Sequence, residues 1–237
     1  MVKSNNQSHP LQLNFKDYRK RMDVNLRQLA AQHDPHELDE QAVPAYIHPN
    51  RLMAWLFWQR LQVVTRYLES QSLGRVLDFG CGAGVLFPFL LPRSQQLVAY
   101  DLDYQVSRFT IENLELKGVC LLDEPLGLDV LEPGTIDTII ALDVLEHVDD
   151  LHDVCQRFEQ LLSPWGQIVI SGPTESLAYR MGRRLAGAKQ HFHVRSIYDI
   201  ERQMVECFEW HLIARLYPPV TLFRVSVARR RIHLATG

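Results

Sequence analysis

The chain has 237 residues, 46% of them hydrophobic and 22% charged, enough to bury one α/β core and unlike a disordered, collagenous or disulfide-framed composition. A formal net charge of −3 gives no general attraction for a polyanion, so a nucleic-acid binder is disfavoured, and the run Arg229, Arg230, Arg231 reads as a solvated strand end. Cys81, Cys120, Cys155 and Cys207 show neither C-x-x-C nor C-x-x-H spacing, and no stretch has the roughly 20 apolar residues of a membrane span. Residues 1–10 lack the apolar core of a signal peptide, so the expected location is the reduced cytoplasm.

In chain order, residues 15–31 carry apolar positions at helical spacing, and residues 32–49, with Pro35, Pro44 and Pro49, read as an irregular link. Asn50 is placed to cap a helix over residues 50–70, where Met53, Leu56, Phe57, Val64, Tyr67 and Leu68 recur at spacings of three and four. From Gly74 the pattern changes to short apolar runs alternating with helical segments, which predicts βαβ units and a parallel sheet. Strands are expected at 75–79, 97–101, 119–122, 135–142 and 166–172, and helices at 85–91, 104–117, 150–162 and 196–208. Two last strands, 209–217 and 221–229, are split by Pro218 and Pro219, a link that permits a hairpin and is too short for a crossover helix. The expected organisation is a helical region over residues 1–72 leading into a sheet domain over 73–237.

The segment Val76-Leu77-Asp78-Phe79-Gly80-Cys81-Gly82-Ala83-Gly84 is a buried strand ending in an acid, then a glycine-rich turn into a helix. Glycines here remove side chains so that backbone can approach a ligand closely. Asp101 ends the next strand, where nucleotide-binding α/β folds place a carboxylate on the ribose hydroxyls; the alternative is an aspartate that caps the following helix. A dinucleotide dehydrogenase fits less well, because Val85 stands where a third glycine would fall and the carboxylate of Asp78 would face a pyrophosphate.

The 76–84 segment resembles the first motif of class I S-adenosylmethionine-dependent methyltransferases. Residues 137–148, Asp137-Thr138-Ile139-Ile140-Ala141-Leu142-Asp143-Val144-Leu145-Glu146-His147-Val148, are similar to that family's fourth strand and exit loop, and Ser163-Pro164-Trp165-Gly166 to its turn into the fifth. The resemblance covers residues 74–229 and implies a Rossmann-like, seven-stranded, mostly parallel sheet with an antiparallel last strand, helices on both faces and an N-terminal helical cap. It implies S-adenosylmethionine as cofactor, contacted by Asp78, Gly80, Cys81, Gly82, Gly84, Asp101, Leu102, Leu142 and Asp143, with Asp123 at the adenine and Asp129 as its rival.

Methyl transfer from a cationic sulfur asks the protein to align a nucleophile and exclude water, with a base where the acceptor must lose a proton. His147, His191 and His193 are the candidates; His147 is preferred, and the other two read first as surface histidines. Asp143, Glu146 and His147 also resemble the Glu-x-x-Glu-His run that binds magnesium in quinone-biosynthesis O-methyltransferases, with aspartate at the first position; a helix-capping role for Asp143 or Asp149 is the alternative, and no metal site is predicted. Ala141-Leu142-Asp143-Val144 lacks the Pro-Pro-aromatic run of enzymes that methylate adenine or glutamine, and no cysteine stands there for cytosine chemistry. Trp55, Phe57 and Trp58 either line an acceptor pocket or, the favoured reading, pack in the core. The polar stretch 172–195, with Tyr179, Arg180, Arg183, Arg184, His191 and His193, is a candidate for acceptor recognition or an extra helix over 175–185.

The expected function is therefore transfer of a methyl group to an oxygen or nitrogen of a small-molecule or lipid-like acceptor, with no nucleic-acid partner and no membrane span. A nicotinamide-dependent oxidoreductase and a non-catalytic cofactor-binding subunit are the alternatives; nucleotide selectivity separates the first, and labelled-methyl transfer the second.

Overall fold

In a computed structural model that describes residues 14–33, 38, 41–122, 127–174 and 195–231, the apolar runs align as one seven-stranded sheet. Its strands are β1 (Arg75–Phe79), β2 (Gln96–Tyr100), β3 (Val119–Leu122), β4 (Ile136–Leu142), β5 (Leu162–Pro173), β6 (Phe208–Leu216) and β7 (Phe223–Arg230). The order is β3-β2-β1-β4-β5-β7-β6. Strands β1 to β5 pair in parallel, and β7 lies antiparallel between β5 and β6. Parallel strands covered on both faces need apolar residues pointing both ways, and Val76, Leu77 and Phe79 supply them in β1.

The helices are α1 (Phe15–Ala30), α2 (Val43–Tyr46), α3 (Arg51–Leu68), α4 (Phe87–Leu90), α5 (Tyr104–Asn113), α6 (Leu151–Leu161) and α7 (Ile197–Cys207). On one face of the sheet, Met22 and Leu26 of α1 and Leu61 and Val64 of α3 share a buried cluster with Val76, Ala99, Ile140 and Val169. On the other face, Phe158 of α6 and Met204 of α7 pack against Leu77, Val98, Ile139 and Ile168. The alternation of strand residues between the two clusters follows from the two-residue period of a strand. A polar seam ties α1 to α5: Asn25 donates to the Thr110 hydroxyl at 2.9 Å, which donates to the main-chain oxygen of Ala83 at 2.7 Å, and Asn113 donates to Asn25 at 2.8 Å.

Several boundaries differ from the sequence expectation, each for a local reason. The expected link over 32–49 contains α2, entered through Ala42 in a left-handed conformation (φ 55) and with a proline in its first turn. The expected helix over 104–117 ends at Asn113, because Glu115 (φ 50) and Gly118 (φ 98) leave the helical region. Strand β5 starts at Leu162, ahead of the expected residue 166, because Ile136 pairs with Leu162 across the register shift beside Thr138. Asn50 does cap α3, accepting from the Leu52 amide at 2.9 Å. The expected 175–185 helix, Tyr179, Arg180, Arg183, Arg184, His191 and His193 lie outside the described residues.

Candidate active site

Asp78 and Asp101 come together at the carboxyl ends of adjacent strands, the position where open α/β sheets receive their ligands. The register places Asp78 beside Ala99 and Phe79 beside Tyr100, so Asp101 follows at the same edge. Gly80 and Cys81 both donate main-chain N–H groups to the Tyr100 carbonyl, at 2.8 and 3.2 Å, which folds the glycine loop back over the end of β2. Asp101 then accepts from the Gly82 amide at 2.7 Å and from the Asp103 amide at 3.0 Å. The cap of α5 is Asp103, not Asp101.

The three glycines of the loop have different reasons to be glycine, although all have positive φ. A Cβ on Gly80 would collide with the side chain of Val144, and one on Gly84 with the ring of Phe87, so both are required by the protein's own packing. A Cβ on Gly82 would meet nothing closer than Gln41, at 3.6 Å, an ordinary contact. At Gly82 it is the left-handed backbone (φ 50), not crowding, that favours glycine, and Gln41 lies over it.

The electrostatics of this crevice are unbalanced. Asp78 is buried and, among the described residues, no hydrogen bond reaches its carboxylate. Burial, and next the nearby carboxylate of Asp101, push its pKa up to about 7. Burial also raises Asp101, although the amides of Gly82, Asp103 and Leu102 act against the shift. Burial raises the Cys81 thiol well above its ordinary range, with Asp78 and Asp101 adding to it, so Cys81 is a packing residue in this loop and a thiol rather than a thiolate. Leu102, 73% exposed, stands at the open rim.

Across the crevice, the exit of β4 carries Asp143, held in a left-handed conformation (φ 51). Its amide donates to the Ser171 carbonyl at 2.9 Å and its carboxylate accepts from the Ser171 hydroxyl at 3.2 Å. Its other oxygen forms an ion pair with Arg60 of α3, whose side chain is 3% exposed. Arg60 also donates to the Tyr46 hydroxyl at 2.8 Å and sits 5.3 Å from the Phe57 ring and 5.2 Å from the Phe223 ring. Burial raises Asp143 despite Arg60, Ser171 and His147, which favour its ionised form. The same loop continues through a 3-10 turn, Leu145–His147, in which Glu146 is buried and His147 exposed. Asp150 caps α6, so neither Asp143 nor Asp149 has the capping role.

Of the residues expected to contact a cofactor, the structure gathers Asp78, Gly80, Cys81, Gly82, Gly84, Asp101 and Leu102 at one crevice and brings Leu142 and Asp143 to its β4 side. Asp123 lies outside the described residues, and Asp129 is exposed and paired with Arg157. The aromatic stripe of α3 divides: Trp58 is buried edge-on to Tyr18 and Tyr46, Phe57 packs on Phe223, and Trp55 is a partly exposed neighbour of Tyr217. Sequence reasoning missed Arg60, Tyr46 and Gln41. Arg60 had a signal, a charge three residues after Phe57 and four before Val64 inside an apolar stripe. Among the described residues no cluster of three or more His, Cys, Asp or Glu side chains could hold a metal ion, and no helix is long and apolar enough to cross a membrane.

Residues 26–208 match the family model described as a methyltransferase domain. The chain belongs to the class I methyltransferases. This methyltransferase is 29% identical over 135 residues to the ubiquinone biosynthesis O-methyltransferase of Cupriavidus pinatubonensis, covering 54% of this chain and 53% of that protein. It is 32% identical over 116 residues to the enzyme of the same name from Xanthomonas euvesicatoria, covering 47% and 48%. The chain thus spans about half the length of the curated relatives it matches. Among solved structures, the N-methyltransferase NodS from Bradyrhizobium japonicum in complex with S-adenosyl-L-homocysteine matches with a TM-score of 0.60 at 16% identity, over 90% of this chain and 99% of that one. A SAM-dependent methyltransferase from Aquifex aeolicus matches with a TM-score of 0.56 at 14% identity, over 86% and 97%. At these identities the likeness is one of fold.

The crevice fits the family's cofactor, S-adenosylmethionine. A buried carboxylate that no hydrogen bond reaches among the described residues, beside a second carboxylate and a glycine loop, suits a ligand that brings hydroxyl donors and positive charge.

Proposed function

We propose that this methyltransferase transfers the methyl group of S-adenosylmethionine to an oxygen of a small, lipid-like metabolite. The observation that carries the reading is the pair of carboxylates, Asp78 and Asp101, gathered beside the glycine loop at the carboxyl edge of the sheet. The relatives that match this chain are named O-methyltransferases, which supports oxygen over nitrogen.

When bound, the cofactor supplies a methyl group already activated on a cationic sulfur. The chain's own residues do the rest. Asp101 accepts hydrogen bonds from the ribose hydroxyls while its two amide partners keep it aimed. Asp78 ionises against the ligand's positive charge. Tyr18, Tyr46 and Trp58 form an aromatic wall that keeps water from the reacting centre, with Tyr18 fixed by a 2.7 Å hydrogen bond to the Val85 carbonyl. Arg60 keeps Asp143 paired, and His147, on the same loop, is the candidate base for an acceptor hydroxyl. The helices of residues 1–72 act as the lid over the acceptor. Four free cysteines support a reducing, cytoplasmic location.

Calorimetry with S-adenosylhomocysteine and with NADH tests the binding half of this proposal, and a labelled-methyl assay against phenols, alcohols and amines tests the other half. Binding of the first ligand alone, with label on oxygen, is the expected result. Preference for NADH, or label on amines only, would overturn it.

A further inference from the structure

The N-terminal segment also reaches the cofactor crevice at Gln41, just ahead of α2. The Cα, Cβ and carbonyl oxygen of Gln41 lie 3.6 to 3.7 Å from the position a Cβ on Gly82 would take, so this residue roofs the middle of the glycine loop. Its side-chain nitrogen donates to the Asp103 carboxylate at 3.2 Å. Its side-chain oxygen is buried and, among the described residues, has no donor. A buried amide oxygen left without a partner costs about 1 to 3 kcal/mol, so an occupant that brings a donor is favoured.

The surroundings narrow the identity of that donor. Near Gly82 the carboxylates of Asp78 and Asp101 and the buried Gln41 oxygen are all acceptors. A hydroxyl can satisfy one acceptor at a time and leaves the negative charge of Asp78 uncompensated. An ammonium group offers three donors and a positive charge together. S-Adenosylmethionine carries such a group on its methionyl arm, at the end opposite the ribose that Asp101 takes.

We propose that Gln41 is a cofactor-contacting residue, its side-chain oxygen accepting a hydrogen bond from the α-ammonium of the methionyl arm. The inference rests on the reading of the crevice as an S-adenosylmethionine site. It assigns the N-terminal segment a role in donor binding as well as acceptor cover: the amide of Gln41 is fixed by Asp103 on one side and ligates the ammonium on the other. The contact also couples the lid to the cofactor, since α2 follows directly and carries Tyr46, the partner of Arg60.

The test is calorimetry of the full chain with two probes, S-adenosylhomocysteine, which has the ammonium, and 5′-methylthioadenosine, which lacks the whole amino-acid arm. Gln41→Met keeps the bulk of the roof and removes its oxygen; Gln41→Ala removes both. In both variants the Kd for S-adenosylhomocysteine should rise about tenfold, the loss of one hydrogen bond to a charged group, while the Kd for 5′-methylthioadenosine stays within about twofold. A desamino analogue of S-adenosylhomocysteine should bind wild type and Gln41→Met alike. Wild-type affinity for S-adenosylhomocysteine in Gln41→Met, or an equal loss for both probes, overturns the role of Gln41 while leaving the crevice as the cofactor site. Failure of the wild-type chain to bind either probe overturns both.

Discussion

The two ends of the sheet differ in a way that separates room from chemistry. At the amino ends of β1, β4 and β5 lies a cleft of about 600 Å³, bordered by Gln71, Asp137, Trp165, Gln167 and Arg229. Its polar groups already serve one another: Asp137 accepts from the Arg75 amide and the Ser163 hydroxyl, both at 2.9 Å, and Gln167 accepts from Tyr67 at 2.9 Å and donates to Gln71 at 2.7 Å. At the carboxyl ends the Gln41 oxygen is buried with no donor among the described residues, and burial raises the pKa of the Asp78 carboxylate. Unsatisfied buried polar groups are costly and therefore rare, so they mark a binding site better than volume does.

Four substitutions would break or sharpen this contrast. The largest effect is expected for Arg60→Met, which leaves the Asp143 carboxylate uncompensated beside the crevice; chemical denaturation should show a loss of about 3 to 5 kcal/mol, the range for breaking one partner of a buried pair. Adding Asp143→Asn should recover most of it, and a lone Arg60→Met loss under about 1 kcal/mol would show that the pair is not a structural one.

Next comes Asp78→Asn, whose effect depends on pH. The folded-state pKa, about 7, lies above the ordinary carboxylate value of 3.8, so the ligand-free folded chain retains a proton that the unfolded chain has released. Stability therefore falls as pH rises between those two values, and the penalty is complete above pH 7. Asn removes it. The variant should match wild type near pH 4 and exceed it at pH 8 by about 2 to 4 kcal/mol, following roughly 1.4 kcal/mol per pKa unit. A difference that does not vary with pH would mean that Asp78 is already compensated.

Asp101→Ala should weaken S-adenosylhomocysteine binding by about 1 to 3 kcal/mol in calorimetry, and unchanged affinity would place ribose recognition elsewhere. Smallest of all, Trp165→Ala, 83% exposed at the other end of the sheet, should shift that affinity by less than about 0.5 kcal/mol. A tenfold loss there would make the amino-terminal cleft a participant.

The parts of this arrangement that could be read from the sequence are those made by neighbours along the chain. A buried run, an acid and three glycines specify the strand, the turn and the crevice within nine residues, and Asp101 follows at the distance of one βαβ unit. Arg60 and Asp143 meet only because α3 crosses the exit of β4, and nothing local to either residue says so. Gln41 was similarly hidden: its place over Gly82 depends on the left-handed turn at Ala42, in a stretch whose prolines suggested only an irregular link. The division of the α3 aromatics between core and rim was also illegible, because a helical stripe shows which residues face inward but not which partner each will meet.

Strand β7 has a further consequence for how the molecule is made. It hydrogen-bonds to β5 on one side and β6 on the other, yet it is synthesised after both. Until residue 230 has left the ribosome, β5 presents an open edge whose Ile168, Val169 and Ile170 are buried in the finished protein. The nascent chain therefore holds β5 without its β7 partner until β7 has emerged, and over that interval it is exposed to mispairing with other chains.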